Sequence, residues 1–539
     1  MTKNEPNGRK HALAILSRVH DICARDNISY TILFGALMAQ YEEQAYADWL
    51  GSIVIGLLYP DYLRLCQAVE KEEDIYVLNR DNNDNYNAYY SQIRMKSRVS
   101  LPEGREEDQT YYDYFIWAYP IFYAGSTEKE FKNNRKNFEY YLRCDGALAP
   151  PPYPRGLKRK FRAVKAELWY RRREQKKAET AAFFSAFLEQ AQMPSKYILI
   201  PCKKRMLGDM RLADTYKDLE SCPFGDMHVS CIKAKKEWID CYYSQHDQKM
   251  MMCRPANRAL VDGPEIVRRV QLVALENLCE FDRICKKHGI PYILMAGTLL
   301  GAIRHKGFIP WDDDIDVSML EEDWLRYADI IEEELDKDRF FLRTQKTDKD
   351  DNLVFYQIKR NGTTYVKGGR DDFDTHKGIA LDILPFHNSP GNRITFFLQD
   401  KICRFFKTMT WAHMGHTDVK RPFYKMYYGL LAKVSNKTSS RLYYRFANAA
   451  KKKSPYLSFL CVTRNPYHKG FNQRKFFEDR CEVEFEGHLF PAPREWNEFL
   501  ISCYGKDYMK LLTPIRRINR HLPARIELNG LYSFDGPEE

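Results

Sequence analysis

Two stretches of the chain repeat the same order of apolar and polar positions. Leu13, Leu16, Val19 and Cys23 recur at helical spacing, and Leu275, Leu278, Phe281 and Cys285 do so in the second half. Each predicted amphipathic helix leads into a short apolar run, Ile28–Phe34 or Ile290–Ala296, which reads as a strand. A glycine turn follows at Gly35 or Gly297, then a short helix (Leu299–Arg304 in the second half), then a second strand. Tyr30–Leu65 can be laid on Tyr292–Tyr327 without a gap, with Tyr30, Gly35, Leu37, Trp49, Ile53, Leu58, Asp61, Leu63 and Arg64 identical in both. After a three-residue slip Gln92-Ile93-Arg94 falls on Gln357-Ile358-Lys359, and Pro120 falls on Pro385. The shared order implies an internal duplication. Pro and Gly interrupt the helical patterns at Pro255–Pro264, so the expected domains are residues 1–258 and 259–539. An α+β fold is expected for both: a small mixed sheet with flanking helices, and a helical, aromatic-rich extension that is clearest over Arg393–Lys453.

Composition narrows the class. The 539 residues are 44% apolar, 14% aromatic and 29% charged, enough to bury a large core and too apolar for general disorder. No run approaches the length of a membrane span, and the polar first ten residues do not read as a secretory leader. Fourteen scattered cysteines without zinc spacing point to reduced thiols and a cytoplasmic protein. The net charge of +11 is concentrated: Arg155–Lys177 holds eleven basic and two acidic side chains. Nucleic acid is therefore not an expected partner. Leu157, Phe161, Val164 and Leu168 give that segment helical amphipathicity. It could lie peripherally on the inner face of the plasma membrane, or pack on its own domain with a solvated basic face.

The candidate chemistry lies in the second half. Asp314-Ile315-Asp316-Val317 alternates like a strand, placing Asp314 and Asp316 on one face, roughly 6–7 Å apart. Such a pair repels itself unless a cation joins it, and Mg²⁺ is the natural partner, with Mn²⁺ as a substitute. Asp382 is a charge inside the strand-like run GIALDILPF, where a metal explains it better than packing. The expected metal ligands and catalytic residues are therefore Asp314, Asp316 and Asp382, with Asp312 and Asp313 supporting them. Gly297 and Thr298 open a helix whose N-terminus could receive a phosphate, with Arg304, His305, Lys306 and Lys359 as further phosphate or nucleotide contacts. Taken singly, an Asp run is usually a solvated loop and a basic triplet an ordinary surface. Their combination is harder to explain that way.

The first half supplies an internal control. Asp312, Asp313, Asp314 and Asp316 become Leu50, Gly51, Ser52 and Val54 there, and Asp382 becomes Trp117. Arg304-His305-Lys306 becomes Glu42-Glu43-Gln44, reversing the charge. The apolar frame remains without the acids, so the first half is expected to be non-catalytic.

The words GTLLGAIRHKGFIPWDDDID, KRNGTTYV, LDILPF, FEGHLFPAPREW and YGKDYM closely resemble the LicD-type phosphotransferases, relatives of the fukutin proteins in the nucleotidyltransferase-fold superfamily. The resemblance spans most of the second half and reaches the first only through the repeat. It implies two tandem nucleotidyltransferase-like domains, the first degenerate. It further implies transfer of a phospho-alcohol from a CDP-alcohol, above all phosphocholine from CDP-choline, to a cell-surface glycan, lipid-linked glycan or teichoic-acid precursor. In that pattern Gly297-Thr298 would be the phosphate turn, Asp314 and Asp316 the metal pair and Asp382 the third carboxylate. Two other readings compete: a DxD glycosyltransferase using a nucleotide sugar, and a non-catalytic glycan- or partner-binding protein.

Overall fold

The computed structural model describes residues 7–47, 50–83, 88–96, 99, 113–145, 173–200, 213–243, 264–344, 346–348, 352–367, 375–412, 422–450, 452–461, 472–511 and 523–532. The expected boundary at 258/259, Trp49 and the basic segment ahead of Arg173 lie outside these. Two compact units divide the chain, the first mainly Met1–Ser97 and Asp113–Pro264, the second mainly Glu265–Leu511 and Asn519–Glu539. Both are mixed α+β.

In the first unit, α1 (Asn7–Arg25) buries Ile15, Leu16, Val19, Ile22 and Cys23, because apolar residues three and four apart share one helix face. β1 (Thr31–Ile32), α2 (Phe34–Glu43), β2 (Val54–Leu58), α3 (Tyr59–Val69), β3 (Ile75–Leu78), β4 (Ser91–Met95) and β5 (Tyr114–Tyr123) follow. The sheet order is β1-β2-β5-β4-β3, with β2 and β5 parallel and the other neighbours antiparallel. Then come α4 (Glu128–Asp145), α5 (Arg173–Gln190), β6 (Ile198–Leu199, paired with β5) and α6 (Ala213–Lys217). A hairpin of β7 (Leu219–Phe224) and β8 (Met227–Ile232) and α7 (Lys235–Tyr242) complete the unit.

The second unit starts with α8 (Pro264–His288), whose buried stripe runs through Val270, Val273, Ala274, Leu278, Phe281, Ile284 and Cys285. β9 (Ile293–Leu294), α9 (Ala296–His305), β10 (Ile315–Leu320), α10 (Glu321–Glu334), β11 (Phe340–Arg343), β12 (Tyr356–Arg360), β13 (Thr364–Lys367) and β14 (Ala380–Asn388) follow. The order β9-β10-β14-β12-β11 repeats that of the first sheet, again with one parallel pair, β10 with β14. Helices α11 (Arg393–Thr410), α12 (Pro422–Leu431) and α13 (Asn436–Ala447) make up the region read from sequence as helical and aromatic. β15 (Leu457–Ser458) pairs with β14, and α14 (Lys475–Glu478) precedes the hairpin β16 (Arg480–Phe485) and β17 (His488–Pro493). α15 (Trp496–Tyr504) and β18 (Pro523–Glu527), which pairs with β13, close the chain.

The likeness extends to backbone detail. Phe34 and Ala296 enter their helices with φ of 53° and 47°, and Gln44 and Lys306 leave them with φ of 54° and 55°. Those left-handed exits end the helices where their last carbonyls need other donors. In each unit the hairpin turn answers, with Gly225 N–H donating to Gln44 O and Glu486 N–H to Lys306 O, both at 2.8 Å.

One sequence expectation is corrected here. The runs Ile28–Phe34 and Ile290–Ala296 form only two-residue strands, β1 and β9. Ile28 and Ile290 are buried all the same, since an apolar run reports burial and not pairing. Phe34 and Ala296 already belong to the following helices.

Candidate active site

The parallel pair at the centre of the second sheet sets the site. Ile315 and Val317 point into the core, so Asp316 emerges on the opposite face. Register places Asp316 directly beside Asp382 on β14 and Gln357 of β12 on the other side of Asp382. Gln357 Nε2 donates to Asp382 Oδ1 at 2.6 Å, while its own Oε1 accepts from Arg343 Nη1 at 3.2 Å. Arg343 is in turn held by Asp348 at 3.3 Å. A strand acid is thus oriented by an amide whose other end is fixed by a guanidinium.

Asp312, Asp313 and Asp314 lie on the loop entering β10. One oxygen of each lies within 4.8 Å of those of the other two, close enough to share an ion. Asp313 is buried and accepts from the Tyr365 hydroxyl. Burial first, then the charges of Asp314 and Asp313, push the Asp312 carboxyl well above the usual carboxylate range. Of the set expected from sequence, Asp314 sits with Asp312 and Asp313 on the loop, Asp316 and Asp382 are register neighbours on the strands, and Asp314 and Asp382 line one cavity.

Gly297 and Thr298 support these acids directly. A Cβ on Gly297 would come within 2.4 Å of Asp312 Oδ2, so glycine makes the room that this carboxylate occupies. The buried Thr298 Oγ1 accepts from Asp316 N–H at 2.9 Å. Gly301 is needed for the same steric reason, since its Cβ would meet Gly307 O at 2.4 Å, where the chain folds back over α9.

The loop itself is held from α8 and the β16–β17 turn. Gln271 Nε2 donates to Ile309 O, Pro310 O and Asp312 O at 3.2, 3.4 and 2.7 Å. Arg268 and Glu486 form a buried ion pair at 2.8 Å, and the other Glu486 oxygen accepts from Phe308 N–H at 3.0 Å. Glu486 belongs to the word FEGHLFPAPREW, so that stretch of sequence acts on the acid loop.

A cavity of about 330 Å³ opens beside the acids. Asp313, Asp314 and Asp382 line one side, and Arg343, Lys359 and Lys407 bring positive charge to it. Lys359 Nζ donates to His376 O at 2.6 Å and to Gly378 O at 3.4 Å. Burial holds the Lys407 ammonium below its usual value, and Nζ donates to Cys461 O. Burial also pushes the Cys461 thiol up to about 12; Lys407 opposes that shift, and Asp316 and Asp382 add to it. His376 is lowered to about 4, first by burial and then by Lys359 and Arg343. Its Nδ1 accepts from Gly378 N–H at 3.1 Å, which puts the proton of the neutral ring on Nε2, 3.1 Å from Asn361 Oδ1.

Arg304, His305 and Lys306 do not belong to this cavity wall. They end α9, some seven to nine residues beyond Gly297, roughly 10–13 Å along the axis. Arg304 donates to His305 Nε2 and to Tyr508 O, both at 2.9 Å, and His305 is buried. A basic triplet signals charge, but helix geometry decides which end it occupies. Sequence reasoning missed Gln357, Arg343, Tyr365, Gln271 and Glu486. The first would have been visible as Gln92-Ile93-Arg94 against Gln357-Ile358-Lys359, a shared amide next to an unshared acid.

At the matching positions of the first sheet, Val54 pairs with Trp117, and Trp117 with Gln92. Trp117 packs edge-on to Tyr90 and Phe115, and Tyr90 stacks on Tyr119. Arg94 donates to Gln92 Oε1 and to Asp113 O.

Residues 289–412 match the family profile described as LicD/FKTN/FKRP, nucleotidyltransferase domain. The match takes in Asp312–Asp316, Gln357, Asp382 and Lys407. The chain is 29% identical over 262 residues to the lipopolysaccharide cholinephosphotransferase LicD of Haemophilus influenzae, an alignment covering 46% of this chain and 92% of that protein. It is 30% identical over 146 residues to an uncharacterized protein of Rickettsia typhi, covering 27% of this chain and 38% of the other. Within the second unit, residues 289–412 therefore match a nucleotidyltransferase domain of the LicD/FKTN/FKRP type, and the chain is similar to a LicD cholinephosphotransferase over nearly that protein's whole length.

Proposed function

We propose that the second unit is a metal-dependent phosphotransferase that moves a phospho-alcohol, above all phosphocholine from CDP-choline, onto a hydroxyl of a surface glycan or teichoic-acid precursor. The observation that carries this reading is Asp316 beside Asp382 on the central strands, with Gln357 fixing Asp382, and Asp382 lining a cavity that Arg343, Lys359 and Lys407 also line. The name of the Haemophilus influenzae relative supports the donor group.

Carboxylate oxygens crowded on one side of the cavity suit a hard divalent ion. Asp314, Asp316 and Asp382 would hold Mg²⁺ or Mn²⁺, with Asp312 and Asp313 behind them, and the ion would neutralise the donor diphosphate. Arg343, Lys359 and Lys407 add positive charge to the wall against which phosphate oxygens would rest. The acceptor oxygen attacks the phosphorus bearing choline, the bond from that phosphorus to the CMP oxygen breaks, and CMP departs. Asp382, oriented by Gln357, takes the hydroxyl proton or aligns its oxygen. Thr298 fixes the Asp316 backbone, and Gly297 leaves space for Asp312.

The first unit is read as a duplicated copy of the fold without this chemistry. The support is the common strand order, with Trp117 at the register position of Asp382. Among the described residues eleven cysteines are free thiols, which fits a cytoplasmic setting.

Purified protein should release CMP from one CDP-alcohol of a panel, only with a divalent ion, and leave UDP-sugars intact. Turnover of a UDP-sugar instead, or CMP release unaffected by chelation, would remove this reading.

A further inference from the structure

Helix α11 buries Phe396, Cys403 and Met409, yet it also buries polar side chains and leaves large apolar ones outside. Gln399 and Asp400 are buried, Gln399 by bonds to Phe446 O and Ala447 O, and Asp400 against Arg404. The opposite face carries Ile394, Phe397, Leu398 and Phe405, which are 74, 56, 51 and 46% exposed. With Lys401 these fall at i, i+3, i+4, i+7 and i+11, one continuous stripe of the helix. An apolar stripe at core spacing on the solvent side marks a surface that meets something apolar.

Charge identifies the partner. From Arg393 to Lys453 the chain holds fourteen Lys and Arg against two Asp, a net +12 that exceeds the +11 of the whole protein. α13 packs antiparallel on α11, Gln399 meeting Ala447 and Cys403 meeting Tyr443. Its Lys437, Arg441 and Arg445, four residues apart, form an exposed basic row. Neither helix exposes an acid. Two copies of this face would oppose like charges, whereas an anionic bilayer offers phosphates to the basic row and acyl chains to the stripe.

We propose that the outer face of α11, with the basic row of α13, docks the second unit on an anionic lipid surface. In sequence this surface is distinct from the basic segment Arg155–Lys177. Lys407, two residues past Phe405, lines the cavity, so docking would bring the site close to the bilayer plane. That consequence rests on the proposed function; docking itself does not.

The test is co-sedimentation of the full chain with vesicles of phosphatidylcholine alone or mixed with phosphatidylglycerol. Wild type should bind the mixed vesicles, and less so at high salt. The pair Phe397→Glu and Leu398→Glu should lower that binding about tenfold. Lys437→Glu with Arg441→Glu should lower it severalfold. Both variants should keep the wild-type circular dichroism and thermal midpoint, because the changed side chains are exposed. Equal sedimentation of wild type and variants, or equal binding to pure phosphatidylcholine, overturns the proposal. So does a wild-type dimer that the Phe397 variant converts to monomer, since the face would then meet a second copy. Vesicle binding that persists in a protein without CDP-alcohol turnover would leave docking standing while the proposed function fell.

Discussion

The two units carry one sheet order and one register, yet of three matched positions on the central strands two differ and one, the glutamine, is shared. Asp316, Asp382 and Gln357 stand where Val54, Trp117 and Gln92 stand in the first. The core side of each strand is apolar in both, as with Ile315 and Val317 against Ile53 and Ile55. Alternation along a strand separates the two roles, because one face builds the fold while the other is free to carry chemistry or to lose it. Gln92 lies beside Trp117 instead of an acid and accepts from Arg94.

The largest effect should come from the acids. Asp316→Asn or Asp382→Asn should cut CMP release by about a thousandfold or more with the unfolding midpoint kept, whereas Val54→Asp should leave release unchanged. Substantial turnover in either acid variant would erase the functional difference between the units.

Glu486→Gly gives the second unit the residue found at Gly225. Glu486 has a φ of 53°, so glycine relieves the backbone while breaking the buried pair with Arg268. The broken pair should dominate and lower stability by about 3–5 kcal/mol in a denaturant titration. A neutral result would mean that Gln271 alone holds the acid loop.

Gln357→Leu removes the donor to Asp382 and should slow turnover by roughly ten- to a hundredfold, while Gln92→Leu should not affect it. The unfolding midpoint measured beside the rate would distinguish loss of orientation from loss of fold, because only the latter lowers both.

The smallest effect is in pH. His376 titrates near 4 in the folded protein against an ordinary value of about 6.5, so the unfolded chain binds the extra proton between them. Stability of the second unit should therefore fall as pH drops through that window, and His376→Gln should flatten the slope. Thermal midpoints at a series of pH values read this directly.

Much of this was legible in the chain. Helical stripes such as Leu275, Leu278, Phe281 and Cys285, the alternation at Asp314–Val317 and the Asp382 charge in an apolar strand fixed the elements and nominated the acids, because burial patterns are written locally. Other features were not local. Asp316 meets Asp382 through a parallel pairing that spans 66 positions of sequence, and Arg268 reaches Glu486 across 218. The sequence nominated Arg304–Lys306 as phosphate contacts, but their place at the end of α9 away from Gly297 follows from the length of that helix. Side-chain type and period determine what each element buries, but the distances between charges follow from strand register and helix length, which only the assembled sheet sets.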